Sequence, residues 1–481
     1  MQASTTWWDS RWARRLDYVA AIAALLILLR VASEEDLSSL LWAFVALAIV
    51  ALSLVRWPYG AVITLVGVSV LPRFYLEIFG WKMRPEHAGA LIVAGAVGVW
   101  LIWKKPKIKW EKLDYWVVAY LAINYVSSAF ASPEPASTLR WALLNNFGVL
   151  PYFVIRLLVQ DVETLRKVFR IFIGVGILEA AYGIICYLSH VAFATTFGME
   201  LGQYLVDVAA PYGSLYEPNL FGAYCACCAV MMLALYFLES RGRLFYMLSF
   251  LIASMAVFVS FSRASLLALV LVVVFVYWKG RQRQSQGRHS LIVFALTLGL
   301  VAVVAITAIG GVLQERLGNL FSQGLTEETT LTRLVVLAES LQNIANHPLL
   351  GSGTASFQLF FDWATLIPEW AGTATWIGNF LVRVLHDTGI VGLAALVGFI
   401  VSLVVKTRQG LRVALVAHDM HDTIPMLFAL SAGALVYFIC FQFTDGTTLA
   451  FCWVHLGFLA SAAIIAKRSG QTMEQTASVG L

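Results

Sequence analysis

The chain has 481 residues, of which 60% are hydrophobic and only 13% charged, with a formal net charge of +5. Soluble globular domains carry about a quarter charged residues, so a water-soluble globule is excluded. Apolar runs near the length needed to cross a bilayer recur from end to end, whereas a β-barrel would show short alternating segments. The expected fold class is therefore an all-α polytopic membrane protein.

In chain order, the apolar runs predict spans at 17–32, 37–55, 60–79, 88–103, 113–131, 141–159, 168–190, 218–238, 244–261, 264–278, 290–311, 388–405, 424–444 and 447–466, about fourteen helices. The basic, aromatic start MQASTTWWDSRWARR lacks an A-x-A cleavage site after its first apolar run, so a retained first span is expected. Pro72 and Pro151 fall inside expected spans and predict kinks or breaks. The organisation expected is 1–311 with eleven spans, a large loop over 312–387, three spans over 388–466, and a cytoplasmic tail over 467–481 whose end, QTMEQTASVGL (471–481), is polar and disordered.

Lys and Arg gather in alternate loops, among them KKPKIK (104–109), ESRGR (239–243) and KGRQRQSQGR (279–288), while 191–217 has none. By the positive-inside rule both termini are cytoplasmic and the 312–387 loop faces out, as expected for a plasma-membrane protein. Basic residues placed this way face the lipid bilayer's surface and point to no nucleic-acid partner. All six cysteines lie in expected spans, and the CACC cluster (225–228) has no His or carboxylate at ligand spacing, so it serves helix packing. There is no HExxH, Walker loop or paired-carboxylate metal motif, so no cofactor and a metal-independent reaction are expected.

The large loop is too periodic and aromatic for a disordered linker. Leu331, Leu334, Val335, Ala338, Leu341 and Ala345 fall at helical spacing, with Arg333 on the polar side. Pro348 stops that helix, and Gly351 and Gly353 predict a tight turn. The segment is expected to cap a site at the membrane surface.

Charges at a membrane surface need a reason. Arg263 stands in SFSRAS (260–265) between two apolar runs, either snorkelling at a turn or binding an anion. Arg140, Arg316, Arg333 and Arg383 join it on the expected outer side, and converging guanidinium groups suit a diphosphate. Glu217 in LYEPNLFGAYCA (215–226) is either part of a helix start or a carboxylate that takes a proton from a hydroxyl. Asp387 is a capping acid or substrate ligand, and His386 a structural histidine or a general base. Trp363, Trp370 and Trp376 are sugar-stacking platforms or outer-leaflet anchors.

These residues together carry a resemblance. TLTRLVVLAESLQNIANHPLLGSGTASF (330–357), SFSRAS, LYEPNLFGAYCA and GNFLVRVLHDTGIVGLAAL (378–396) resemble, in the right order, segments of the O-antigen ligase and polymerase superfamily of bacterial membrane glycosyltransferases. The resemblance implies an extracytoplasmic site, an undecaprenyl-diphosphate-linked glycan as donor and an acceptor glycan. It implies that Arg263 and Arg333 bind the diphosphate. The position of the ligases' histidine holds Gly378, before Asn379. Either His386 or Glu217 then supplies the base, or no side-chain base is required. A polysaccharide polymerase is the function implied, with a flippase and a chain-length regulator as its companion proteins. Ligase-type transfer to lipid A core and transport of a lipid-linked anion are the alternatives.

Overall fold

In the computed structural model of the protein the described residues are 57–73, 76–78, 81–106, 109–201, 209–239, 241–281, 299, 328–362, 375–416 and 423–479. The expected spans 17–32 and 37–55 and nearly all of 290–311 lie outside them, as do Arg316, Trp363 and Trp370. Among the described residues seven helices are long and apolar enough to cross a membrane.

The first described helix, α1 (Tyr59–Val68), is shorter than the expected span 60–79. Pro72 lacks a backbone N–H and disfavours helix in the residue before it, so the helix has ended by then. A small antiparallel hairpin follows instead, β1 (Leu76–Ile78) with β2 (Trp81–Met83), pairing Leu76 with Met83. The helices α2 (Pro85–Lys104), α3 (Lys112–Phe130), α4 (Pro135–Leu158) and α5 (Val162–Phe193) come next. A two-residue pairing, β3 (Met199–Glu200) with β4 (Ala210–Pro211), leads into α6 (Pro218–Leu238). Then come α7 (Arg243–Val259) and α8 (Arg263–Arg281). The large loop contributes α9 (Glu328–Asn346) and a 3-10 turn at Ser356–Leu359. The chain closes with α10 (Phe380–Val416), α11 (Thr423–Cys440) and α12 (Ala450–Val479). The last helix runs on to Val479, so the expected disordered end 471–481 is helical for most of its length.

Local chemistry starts these helices. Proline opens α2, α4 and α6, where its missing N–H is not needed. Glu111 and Asp114 form a reciprocal capping box on α3, and the Asp161 side chain accepts from the Thr164 N–H on α5. The core is built on α6, apolar all round and almost wholly buried, with α7, α8 and α11 against it. The cysteines are free and buried, five of them within this core.

The bundle's two ends differ. At one end Lys406 and Arg468 reach Glu111 at 2.8 and 3.5 Å, and Asp114 meets Arg156 at 3.2 Å and accepts from the Tyr152 hydroxyl at 2.8 Å. The other end gathers the starts of α2, α6, α8 and α10 and the 441–449 connection around a cavity. There α10 begins at Phe380, well before the expected 388, so Arg383, His386 and Asp387 lie inside a helix.

That helix is interrupted at Gly389, whose φ of 64° and ψ of −168° only glycine adopts readily. The 348–353 turn plugs the interruption. Ser352 and Gly353 donate their N–H groups to the His386 and Asp387 carbonyls, both at 2.9 Å. In return the Ile390 N–H donates to the Pro348 carbonyl at 2.9 Å. A backbone break near the bilayer is tolerated only when its polar groups are satisfied in this way. Gly351, at φ 70°, permits the close approach, since a Cβ there would lie 2.5 Å from the Asp387 backbone.

Candidate functional site

A cavity of about 850 Å³ is lined by Arg84, Trp141, Glu217, Arg263, Arg333, Trp376, Asn379, Arg383, Asp387 and Asp445, among others. Each charged group arrives by a short structural device. Arg263 opens α8 directly after the turn at Phe261, which has φ 52° and is followed by Ser262, whose hydroxyl accepts from Ser265 Oγ at 2.8 Å. Arg333 lies one turn into α9, on the side that also presents Thr332, Val336 and Leu337 to the cavity. Glu217 immediately precedes Pro218 at the start of α6. Two arginines separated by a long stretch of chain, each at a helix beginning, thus reach the walls of one chamber.

The loop helix is turned differently from a helix lying on a water-soluble core. Val336 and Ser340 are buried, while Leu331, Leu334 and Leu341 of the expected apolar stripe are 50%, 42% and 51% exposed. The cavity takes Arg333, Leu334 and Leu337, Val336 joins the Val336–Phe357–Ile377 cluster, and Leu331 and Leu341 face outward. An apolar outward face suits a helix bathed by lipid.

Glu217 accepts a hydrogen bond from the Thr444 hydroxyl at 2.6 Å. Burial pushes its carboxyl above the usual carboxylate range, against the opposing effects of the Thr444 hydrogen bond and the Arg333 charge. A carboxylate so placed holds a proton more readily than one in water, which suits a group that accepts one from a hydroxyl.

Arg383 is the centre of a buried ionic network. It meets Asp387 Oδ2 at 3.2 Å, forms an ion pair with Asp445, and donates to the Thr447 hydroxyl at 2.9 Å. Asp445 also accepts from the N–H and hydroxyl of Thr447 at 2.8 and 2.6 Å. Asp387 Oδ2 accepts from the Ala355 N–H at 3.0 Å, joining the loop to α10. Removing Arg383 from this network leaves two buried carboxylates uncompensated, which costs about 3–5 kcal/mol.

Other expected site residues have different places. His386 is fully buried and is not among the cavity-lining residues. Its Nδ1 sits 3.1 Å from Asp387 Oδ1, and its ring packs edgewise on Phe357 and Phe360. It is positioned to orient Asp387 rather than to reach a bound molecule. Asn379 lines the cavity but caps α10, accepting from the N–H groups of Leu381 and Val382, both at 3.0 Å, while its amide holds Gln442. Arg140 lies on α4 outside the cavity lining. Trp376 lines the cavity, is 47% exposed and packs edge-on against Trp141 at 5.4 Å.

Sequence reasoning missed Arg84, Trp141, Asn145, Tyr216, Thr444 and Asp445. Arg84, in MRPEH, carried a usable signal: an arginine just before a proline that opens an apolar helix. Asp445 lay in the two-residue gap between two expected spans, which disguised it as a turn residue.

No curated protein matches the chain. Residues 248–397 match the family model described as O-antigen ligase. The matched segment holds Arg263, Arg333, Arg383, His386 and Asp387, and with them three of the four segments that carry the motif resemblance; LYEPNLFGAYCA (215–226) lies outside it. Members of that family are glycosyltransferase-like membrane enzymes. Over this segment the chain is similar to that family.

Proposed function

We propose that the protein is a polysaccharide polymerase that transfers an undecaprenyl-diphosphate-linked glycan to a sugar hydroxyl on the outer face of the bacterial plasma membrane. The observation that carries this reading is the meeting of Arg263 and Arg333 on the walls of one cavity that also holds Glu217. The alternation of basic and non-basic loops supports a placement with that cavity outward and both termini cytoplasmic.

In the proposed reaction the acceptor hydroxyl oxygen attacks the anomeric carbon of the donor. The bond from that carbon to the phosphate oxygen breaks, and undecaprenyl diphosphate leaves with the electron pair. Glu217 takes the hydroxyl proton. Arg263 and Arg333 stabilise the charge growing on the diphosphate, the kind of preorganised electrostatic contribution that dominates many enzymes. Arg383 is held by Asp387 and Asp445, so its share is to fix the floor of the site rather than to grip the donor. His386 acts through Asp387.

Transfer to lipid A core is the second reading, and the description of the matching family as ligases favours it. Gly378 at the ligases' histidine position favours polymerisation instead. Purified protein given lipid-linked repeat units decides: longer chains on the lipid support the polymerase, and movement across vesicles without new bonds would mean a transporter. In cells, Arg263→Ala and Arg333→Ala are each expected to abolish long polymer. Unchanged polymer length and amount, with expression confirmed, would sink the proposal.

A further inference from the structure

The cavity has a second wall that the family-matched segment does not supply. It comes from Arg84 before α2, Trp141 and Asn145 one turn apart on α4, and Tyr216 before α6. These elements are locked together. The first turn of α2 packs on α4 through His87 and Phe147, whose rings are 6.3 Å apart. Arg84 is pinned by Glu86 at 3.1 Å, and Glu86 is itself buried and accepts the Ala450 N–H at 3.0 Å. The Arg84 guanidinium lies 5.3 Å from the Tyr216 ring centre, and Arg73 holds the Tyr216 carbonyl at 2.8 Å. Trp141 then meets Trp376 edge to face across the boundary with the matched segment.

We propose that this wall is the acceptor-saccharide subsite, an inference that rests on the glycosyl-transfer function proposed above. Its chemistry is that of sugar recognition. Aromatic faces take the C–H side of a pyranose ring, and an amide and a guanidinium take its hydroxyls. A membrane-anchoring role does not account for these aromatics, because Trp141, Tyr216 and Trp376 line the cavity rather than the outer surface alone. Among the apolar lining residues that the matched segment contributes, Leu267, Leu334 and Leu337 stand near the two donor arginines in sequence and suit the lipid end of the donor. The N-terminal wall is polar and aromatic, which leaves it to the glycan that receives the chain.

The test uses the full-length protein in lipid nanodiscs and two probes. One is undecaprenyl diphosphate. The other is a set of repeat-unit oligosaccharides released by mild acid from the source cell's own surface polysaccharide. Trp141→Ala and Arg84→Gln are expected to weaken oligosaccharide binding about tenfold and to leave undecaprenyl diphosphate affinity within about twofold, which also shows that the variants fold. Trp141→Phe restores oligosaccharide binding. Oligosaccharide affinity unchanged in both variants, or carrier affinity falling as far as oligosaccharide affinity, overturns the subsite. Wild-type protein that binds the carrier but no oligosaccharide overturns the subsite alone, whereas wild-type protein that fails to bind the carrier overturns the donor reading beneath it.

Discussion

Gly389→Ala is the sharpest test of how the loop is fastened to the bundle. At φ 64° and ψ −168° the residue occupies a region that alanine rarely enters, and its Cβ would lie 2.1 Å from the Leu349 carbonyl oxygen. The Leu349 oxygen cannot retreat alone, because it belongs to the turn whose neighbours Pro348, Ser352 and Gly353 bond across the break. Strain of this kind is worth about 2–3 kcal/mol, and relieving it means opening the turn. If that energy is drawn from the local opening equilibrium, exchange at the Ser352, Gly353 and Ile390 amides accelerates roughly 30- to 150-fold. Peptide-resolved hydrogen exchange in nanodiscs reads this directly. Gly95→Ala is the control, since a Cβ there meets nothing within 4 Å on a helix, and it is expected to be neutral or stabilising by up to about 1 kcal/mol. Unaltered exchange at those three amides in Gly389→Ala would show that the turn does not hold the break.

Asp445→Asn leaves Arg383 buried with Asp387 as its acidic partner, and is expected to destabilise by about 1.5–3 kcal/mol, the worth of the charged hydrogen bond lost. In a double-mutant cycle with Arg383→Leu, thermal unfolding should show coupling well above ~0.5 kcal/mol; additive effects would dissolve the network as an energetic unit. Glu217 must be ionised to accept a proton, so transfer falls as pH drops through its raised pKa, while Glu217→Gln is slow and flat over the same window. The same shift has a stability consequence of opposite sense. A folded-state carboxyl raised above its unfolded value stabilises at acid pH, and that contribution is lost as pH rises through the raised value. Glu217→Gln should remove that slope from the pH dependence of unfolding, and a slope that survives would assign it to another group.

What could be foreseen along the chain was whatever a local rule controls. The spacing from Leu331 to Ala345, the stop at Pro348 and the glycines at 351 and 353 each obey short-range sterics, and α9 and its turn follow them. Arg263 and Arg333 were recognisable because a charge at a membrane surface is conspicuous against apolar neighbours. The interruption at Gly389 was not, because the run from Ile390 onward is as apolar as any uninterrupted span and nothing in periodicity distinguishes a glycine that breaks a helix from one that packs in it. Nor could periodicity say which face of α9 is buried. That depends on what lies beneath, and what lies beneath is an open chamber rather than a packed core, so Arg333 faces it together with Leu334 and Leu337 while Leu331 and Leu341 turn out. The same logic explains Arg84 and Asp445. Their partners are Glu86, which reaches the start of α12, and Arg383 on α10, and those pairings exist only after helices from both ends of the chain have come together. A site assembled at the end of a bundle is therefore half visible in advance: the groups a membrane cannot tolerate stand out, while the groups that hold them in place look like ordinary turn residues until the fold is complete.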